Sequence, residues 1–178
     1  MGFALPIHAQ QNPAPNYTIK PSDVAVPSDV PLGQYRRSIR PYRNWTLICD
    51  ENLKAKKRIC NVTQSIIDRS GATAFSWSLA GTGGGAPVLI LRTPATVGKD
   101  QSVTLSFDDQ SAPVVVKTTD CNEAVCIAVQ TLGPRLKTYV AKGAVVQISF
   151  PVAKPAGGQA LIGLFGTFDG LAEAVAGI

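Results

Sequence analysis

The sequence predicts a mainly β chain: an antiparallel β-sandwich or jelly-roll-like domain with two short helices, preceded by a proline-rich arm. Three observations predict it. From Trp45 onward, apolar and polar residues alternate in short runs, the period that turns one face of a strand into a core. Glycine and aspartate turns separate those runs. Only two stretches carry helical spacing with stop signals.

The elements follow in order. Residues 1–9 read as the end of a trimmed export signal: Phe3-Ala4-Leu5-Pro6-Ile7 is apolar and Ile7-His8-Ala9 is a partial small-residue cleavage site. Residues 10–43 hold Pro13, Pro15, Pro21, Pro27, Pro31 and Pro41 with few large apolar side chains. Such a segment buries too little surface to offset its ordering entropy, so an extended arm with polyproline II character is expected. Residues 44–178 form the expected sandwich.

Within it, Trp45, Leu47 and Cys49 mark a first strand, and Cys60, Val62, Gln64 and Ile66 a second. Phe75, Trp77 and Leu79 mark a third. The unbroken run Val88-Leu89-Ile90-Leu91 suits a strand covered on both faces. Val103, Leu105 and Phe107, then Val114-Val115-Val116, then Val146, Ile148 and Phe150, and finally Ala160 to Phe165 complete about eight strands. One helix is expected after Gly133-Pro134, through Leu136, Tyr139 and Val140 to Gly143. A second runs from Leu171 to Ala176, with Asp169 as its cap.

Four cysteines permit three connectivities. Strand geometry favours Cys49–Cys60 at the base of a basic hairpin and Cys121–Cys126 closing a tight loop. In the chain-entropy argument such bridges contribute roughly 2–3 kcal/mol each. Disulfides point to an oxidising compartment: the periplasm, the outer-membrane surface or the secreted fraction. The C-x10-C and C-x4-C spacings fit paired zinc knuckles poorly, and no redox C-x-x-C occurs.

The chemistry that is missing narrows function further. His8 is the sole histidine and falls in the leader, which removes Ser-His and Cys-His catalysis and histidine-rich metal sites. Gly81-Thr82-Gly83-Gly84-Gly85 lacks the Gly-Lys-Ser/Thr ending of a phosphate loop. Asp108-Asp109 reads as a hairpin turn more simply than as a carboxylate pair. No catalytic residue, cofactor or metal is expected, so the chain reads as a non-enzyme.

Charge is the one concentrated signal. The net charge is +5. Arg36, Arg37, Arg40, Arg43, Lys54, Lys56, Lys57 and Arg58 are opposed in that segment only by Asp50 and Glu51, so the segment carries +6 and the rest of the chain −1. These eight residues are the candidate partner-binding positions. An anionic surface fits them, with no specific nucleic acid implied.

One family shares the spacing and order of the marked residues. Trp45-x3-Cys49, Cys60-x3-Gln64, Cys121-x4-Cys126, and Leu161-Ile162-Gly163-Leu164-Phe165-Gly166 leading to Phe168 and an alanine-rich helix resemble the invasion-associated locus B family over residues 43–178. Val125 departs from the glycine expected before the last cysteine, and the arm has no counterpart in the pattern. The resemblance implies an exported alphaproteobacterial protein, envelope-associated or secreted, promoting host-cell invasion, as in the Bartonella protein linked to erythrocytes. The partner is then a host-cell surface or bacterial envelope component. A periplasmic housekeeping module, holding a small ligand against Phe75 and Trp77 or binding another envelope protein, is the competing expectation.

Overall fold

In the computed structural model of the chain, which describes residues 16–20, 33–80 and 87–178, the alternating segments become strands of one antiparallel sheet. The expected leader at 1–9, residues 10–15 and 21–32 of the arm, and the glycine-rich turn lie outside the described residues. The strands are β1 (Tyr17–Ile19), β2 (Tyr35–Tyr42), β3 (Trp45–Asn52), β4 (Lys57–Asp68), β5 (Thr73–Ala80) and β6 (Val88–Pro94). After a 3₁₀ turn at Ala95–Val97 come β7 (Ser102–Ser106), β8 (Val114–Cys121) and β9 (Val125–Thr131). Helix α1 (Pro134–Ala141), β10 (Val145–Ala153), β11 (Gln159–Thr167) and helix α2 (Leu171–Ala176) follow.

The spatial order is β11-β10-β7-β8-β9-β6-β5-β4-β3-β2. Strand β4 outruns β3, and β1 takes up the ladder where β3 stops, pairing Tyr17 with Asp68. The fold-over occurs at β8. Its first half pairs with β7 through Val114 to Lys117, its second with β9 through Thr118 to Cys121, and the register shifts between Thr118 and Asp120. An irregularity of this kind bends a strand and raises its twist. The two halves of the sheet therefore face each other as a sandwich: Phe75 of β5 stacks on Phe150 of β10 at 6.2 Å between centroids. One buried cluster draws from both halves.

At the centre of that core sits a polar knot. Gln64 is 2% exposed, and its amide is used at both ends. Its Nε2 donates to the carbonyls of Asn44 (3.0 Å) and Thr167 (3.2 Å). Its Oε1 accepts from the Trp77 indole at 3.0 Å and from the Thr167 backbone N–H at 3.4 Å. The Trp45 indole donates to the same Thr167 carbonyl at 2.8 Å. Trp77 lies between Trp45 and Phe168, with centroids 5.5 and 5.1 Å away. Gly166 gives this approach its room, since a Cβ there would fall 2.8 Å from Trp77 Cζ2. Phe75 and Trp77 are wholly buried, and a cavity of about 230 Å³ lies beside Phe75, between Thr73–Ser76 and Arg92–Pro94.

Four expectations are corrected. The arm does not extend to residue 43: residues 35–42 form β2, paired along their length with β3 from Tyr35↔Asn52 to Tyr42↔Trp45. Only backbone bonding is needed at a sheet edge, so β2 forms without an apolar stripe. Val88–Leu91 is covered on one face alone, with Leu89 and Leu91 buried and Val88 and Ile90 half-buried. The strands exceed eight because β1, β2 and β9 also form. Asp169 does not cap α2. Gly170 occupies that position at φ +92°, where an added Cβ would strike the Tyr42 carbonyl. Asp169 instead accepts from Asn44 at 3.4 Å and faces Arg43 at 3.5 Å. Helix α1 starts at Pro134 behind Gly133 as expected. No helix among the described residues is long and apolar enough to cross a membrane.

Candidate functional site

The positive segment is folded into two hairpin-linked ladders, and pairing decides where each charge goes. Cross-strand register sets Arg36 opposite Glu51 and Glu51 opposite Arg58. Ser38, Cys49 and Cys60 form the next row, and Arg40, Leu47 and Val62 the one after. Period-two alternation places all of these on the core-side face. There the apolar filling ends, leaving a groove of about 380 Å³ lined by Arg36, Ser38, Arg40, Cys49, Glu51 and Arg58.

The groove is braced from below by the Cys49–Cys60 disulfide, which joins directly opposed residues of β3 and β4. The Arg58 guanidinium donates to Cys49 Sγ at 3.2 Å and to the main-chain oxygen of Ile178 at 3.2 Å. Arg36 Nε donates to Glu51 Oε2 at 3.0 Å. Arg40 pairs with no carboxylate among the described residues. Three guanidinium groups against one acidic side chain leave the groove net positive. Guanidinium forks match the oxygen pairs of carboxylate, sulfate and phosphate groups.

The other five basic residues go elsewhere. Arg37 points to the opposite face, where its fork holds Asp50 in two bonds of 2.6 and 3.0 Å. This contact keeps the Asp50 carboxyl below the usual range and raises the guanidinium further. Arg43 sits in the β2–β3 turn at φ +52°, beside Asp169. Lys54 and Lys56 lie exposed in the β3–β4 turn, whose start is tied by Asn52 Oδ1 accepting from the N–H groups of Lys54 and Ala55. Lys57 opens β4 opposite Asn52. The eight positions thus fall in four places: the groove, the opposite face of the sheet, the β2–β3 turn and the β3–β4 turn. Sequence reasoning missed Ser38 and Glu51 as members of the groove, and only the β2–β3 register could have found them.

The second disulfide, Cys121–Cys126, likewise joins opposed residues, on β8 and β9. Asn122 Oδ1 ties the intervening turn by accepting from the N–H groups of Ala124 and Val125. Asp109 is part of a clip on α1: its carboxylate accepts from the Tyr139 hydroxyl and the Ser111 N–H. Hydrogen bonding from the Ser111 hydroxyl, then from the Tyr139 hydroxyl and the Ser111 N–H, lowers it to about 2. Among the described residues, no group of three His, Cys, Asp or Glu side chains could hold a metal ion.

Comparison with known proteins adds the identity of the fold. The family model described as "Invasion associated locus B (IalB) protein" matches residues 45–178. The chain belongs to the IalB family. The crystal structure of invasion associated protein b from Bartonella henselae is similar in fold. It is 17% identical, with 78% of this chain and 92% of that chain covered and a TM-score of 0.63. No curated protein matches the sequence. The IalB match begins at Trp45, so β2, with Arg36 and Arg40, stands before it although it belongs to the same sheet. The residues that carried the resemblance have structural work: Trp45, Gln64 and Gly166 build the polar knot, and the cysteines close the two hairpins. The family and the two disulfides together indicate an extracytoplasmic protein.

Proposed function

We propose that this chain is an exported, envelope-associated or secreted protein that promotes host-cell invasion by non-enzymatic binding, and that its contact surface is the arginine groove of β2, β3 and β4. Membership of a family described by its association with invasion is the observation that carries the role. The groove supports the contact surface, because Arg36, Arg40 and Arg58 converge there around a single acidic side chain. The partner is an anionic component of the host-cell surface. The non-enzymatic reading is supported by the bonding of Asp50 and Asp109. Both are held ionised by structural partners, whereas a proton-transfer group at neutral pH needs a pKa nearer 7.

The test sets the folded chain against intact erythrocytes and bacterial envelope extract side by side, at low and high salt. Binding to the host cell is expected to weaken with salt, and to fall about tenfold or more when Arg36, Arg40 and Arg58 are all changed to Gln. Retention of bacterial envelope components alone would favour the housekeeping role. Host-cell binding untouched by the triple substitution would remove the groove from the account.

A further inference from the structure

The two end strands of the sheet are treated in opposite ways by the sequence. Strand β2 carries Arg36, Arg37, Arg40 and Pro41, the residue types that discourage pairing with another chain. Strand β11, at the other end, reads Gln-Ala-Leu-Ile-Gly-Leu-Phe-Gly-Thr with neither charge nor proline. Among the described residues β11 pairs in the ladder only with β10, and β1 packs near it without pairing. Long, uncharged edge strands are templates for a further strand.

The bonding parity of β11 is readable. The Phe168 N–H donates to the Ala144 carbonyl at 2.9 Å, continuing the β10 ladder on even-numbered residues. Thr167 turns both its N–H and its carbonyl away from β10, toward Gln64 and Trp45. Alternation along an antiparallel strand then sends the N–H and C=O groups of Leu161, Gly163 and Phe165 to the open side. The side chains of the same residues stand on the outer face, Leu161 75% and Phe165 66% exposed.

We propose that the open edge of β11 pairs antiparallel with β11 of a second copy of this chain, about a two-fold axis at Gly163. The sequence is nearly palindromic about that residue. Leu161 falls opposite Phe165 of the other copy, Ile162 opposite Leu164, and Ala160 opposite Gly166. This register matches odd residues to odd residues, so three residue pairs exchange about six main-chain hydrogen bonds. Two copies of net charge +5 meet through strands that carry no charge. The guarded β2 edge stops growth at two, giving a closed dimer rather than a fibre.

Light scattering during size exclusion of the full chain, with amide hydrogen exchange, tests this. A dimer at tens of micromolar is expected, with slow exchange at Leu161, Gly163 and Phe165. Gly163→Lys sets two like charges face to face. Within one copy it is accommodated, because Gly163 is exposed and an added Cβ there meets nothing within 4 Å. It is expected to raise the dimer dissociation constant at least about 100-fold, with an unchanged far-UV spectrum. Phe165→Lys is expected to do the same. A wild-type monomer at all concentrations overturns the proposal, as does a dimer that persists in both variants. Slow exchange of the three amides in a monomer overturns it as well, since a segment of the same chain then occupies the edge.

Discussion

Gln64 shows how one side chain can join distant parts of a chain. Its amide reaches the β2–β3 turn, the end of β11 and the Trp77 indole at once. A buried amide so used is stabilising only while every partner is present. Gln64→Leu keeps the approximate volume but leaves the Trp77 N–H and the Thr167 N–H without an acceptor. The unfolding free energy is expected to fall by about 2–4 kcal/mol, read from the urea midpoint; a change below about 1 kcal/mol would mean that water replaces the amide. Asp109 gives a pH-dependent prediction. Its folded pKa, about 2, lies below the ordinary aspartate value of 3.8. The stabilisation is therefore complete above about pH 5 and is lost as pH falls through about 2. Asp109→Asn is expected to flatten the acid limb of the stability curve over that window, measured by thermal melts from pH 2 to 5. Neither role was legible in the sequence. Gln64 entered as a spacing from Cys60, and Asp109 as a turn residue, because their partners lie far along the chain.

Strands with large inward residues were legible, and strands without them were not. Trp45, Leu47 and Cys49 or Phe75, Trp77 and Leu79 announce themselves by alternation, and their inward faces are buried as expected apart from the half-buried Leu79. Strand β9 reverses the usual signal: its buried residues are the small Cys126 and Ala128, while Val125, Ile127 and Val129 point outward. Strand β2 sits at an edge, where backbone pairing tolerates arginine on both faces. The disulfides act at this scale. Each ties a hairpin already in register, so most of its effect lies in the unfolded chain. Changing Cys121 and Cys126 to Ala is expected to cost about 2 kcal/mol, and Cys49 with Cys60 to Ala somewhat more, because the sequence separations are 5 and 11. Denaturant titrations of both double variants check the order.

For the whole molecule, the folded-over sheet separates two kinds of surface. A positive groove lies at the β2 end and a neutral, apolar strand at the β11 end. A dimer through β11 carries two grooves, so binding to a dense anionic surface gains from avidity. Gly163→Lys is then expected to weaken cell-surface binding more than solution binding of a monovalent anion, compared by flow cytometry and calorimetry. The sequence by itself determined the β class, the two cysteine pairs, the start of the first helix and the family, because alternation, cysteine spacing and proline–glycine punctuation act over a few residues. Only the tertiary structure decided that residues 35–42 join the sheet, that eight neighbouring basic residues divide among four places, and that β11 ends the strand order among the described residues. Each of these depends on which strands lie side by side. Hydrogen-bond pairing between segments distant in sequence sets that, and local composition carries no record of it.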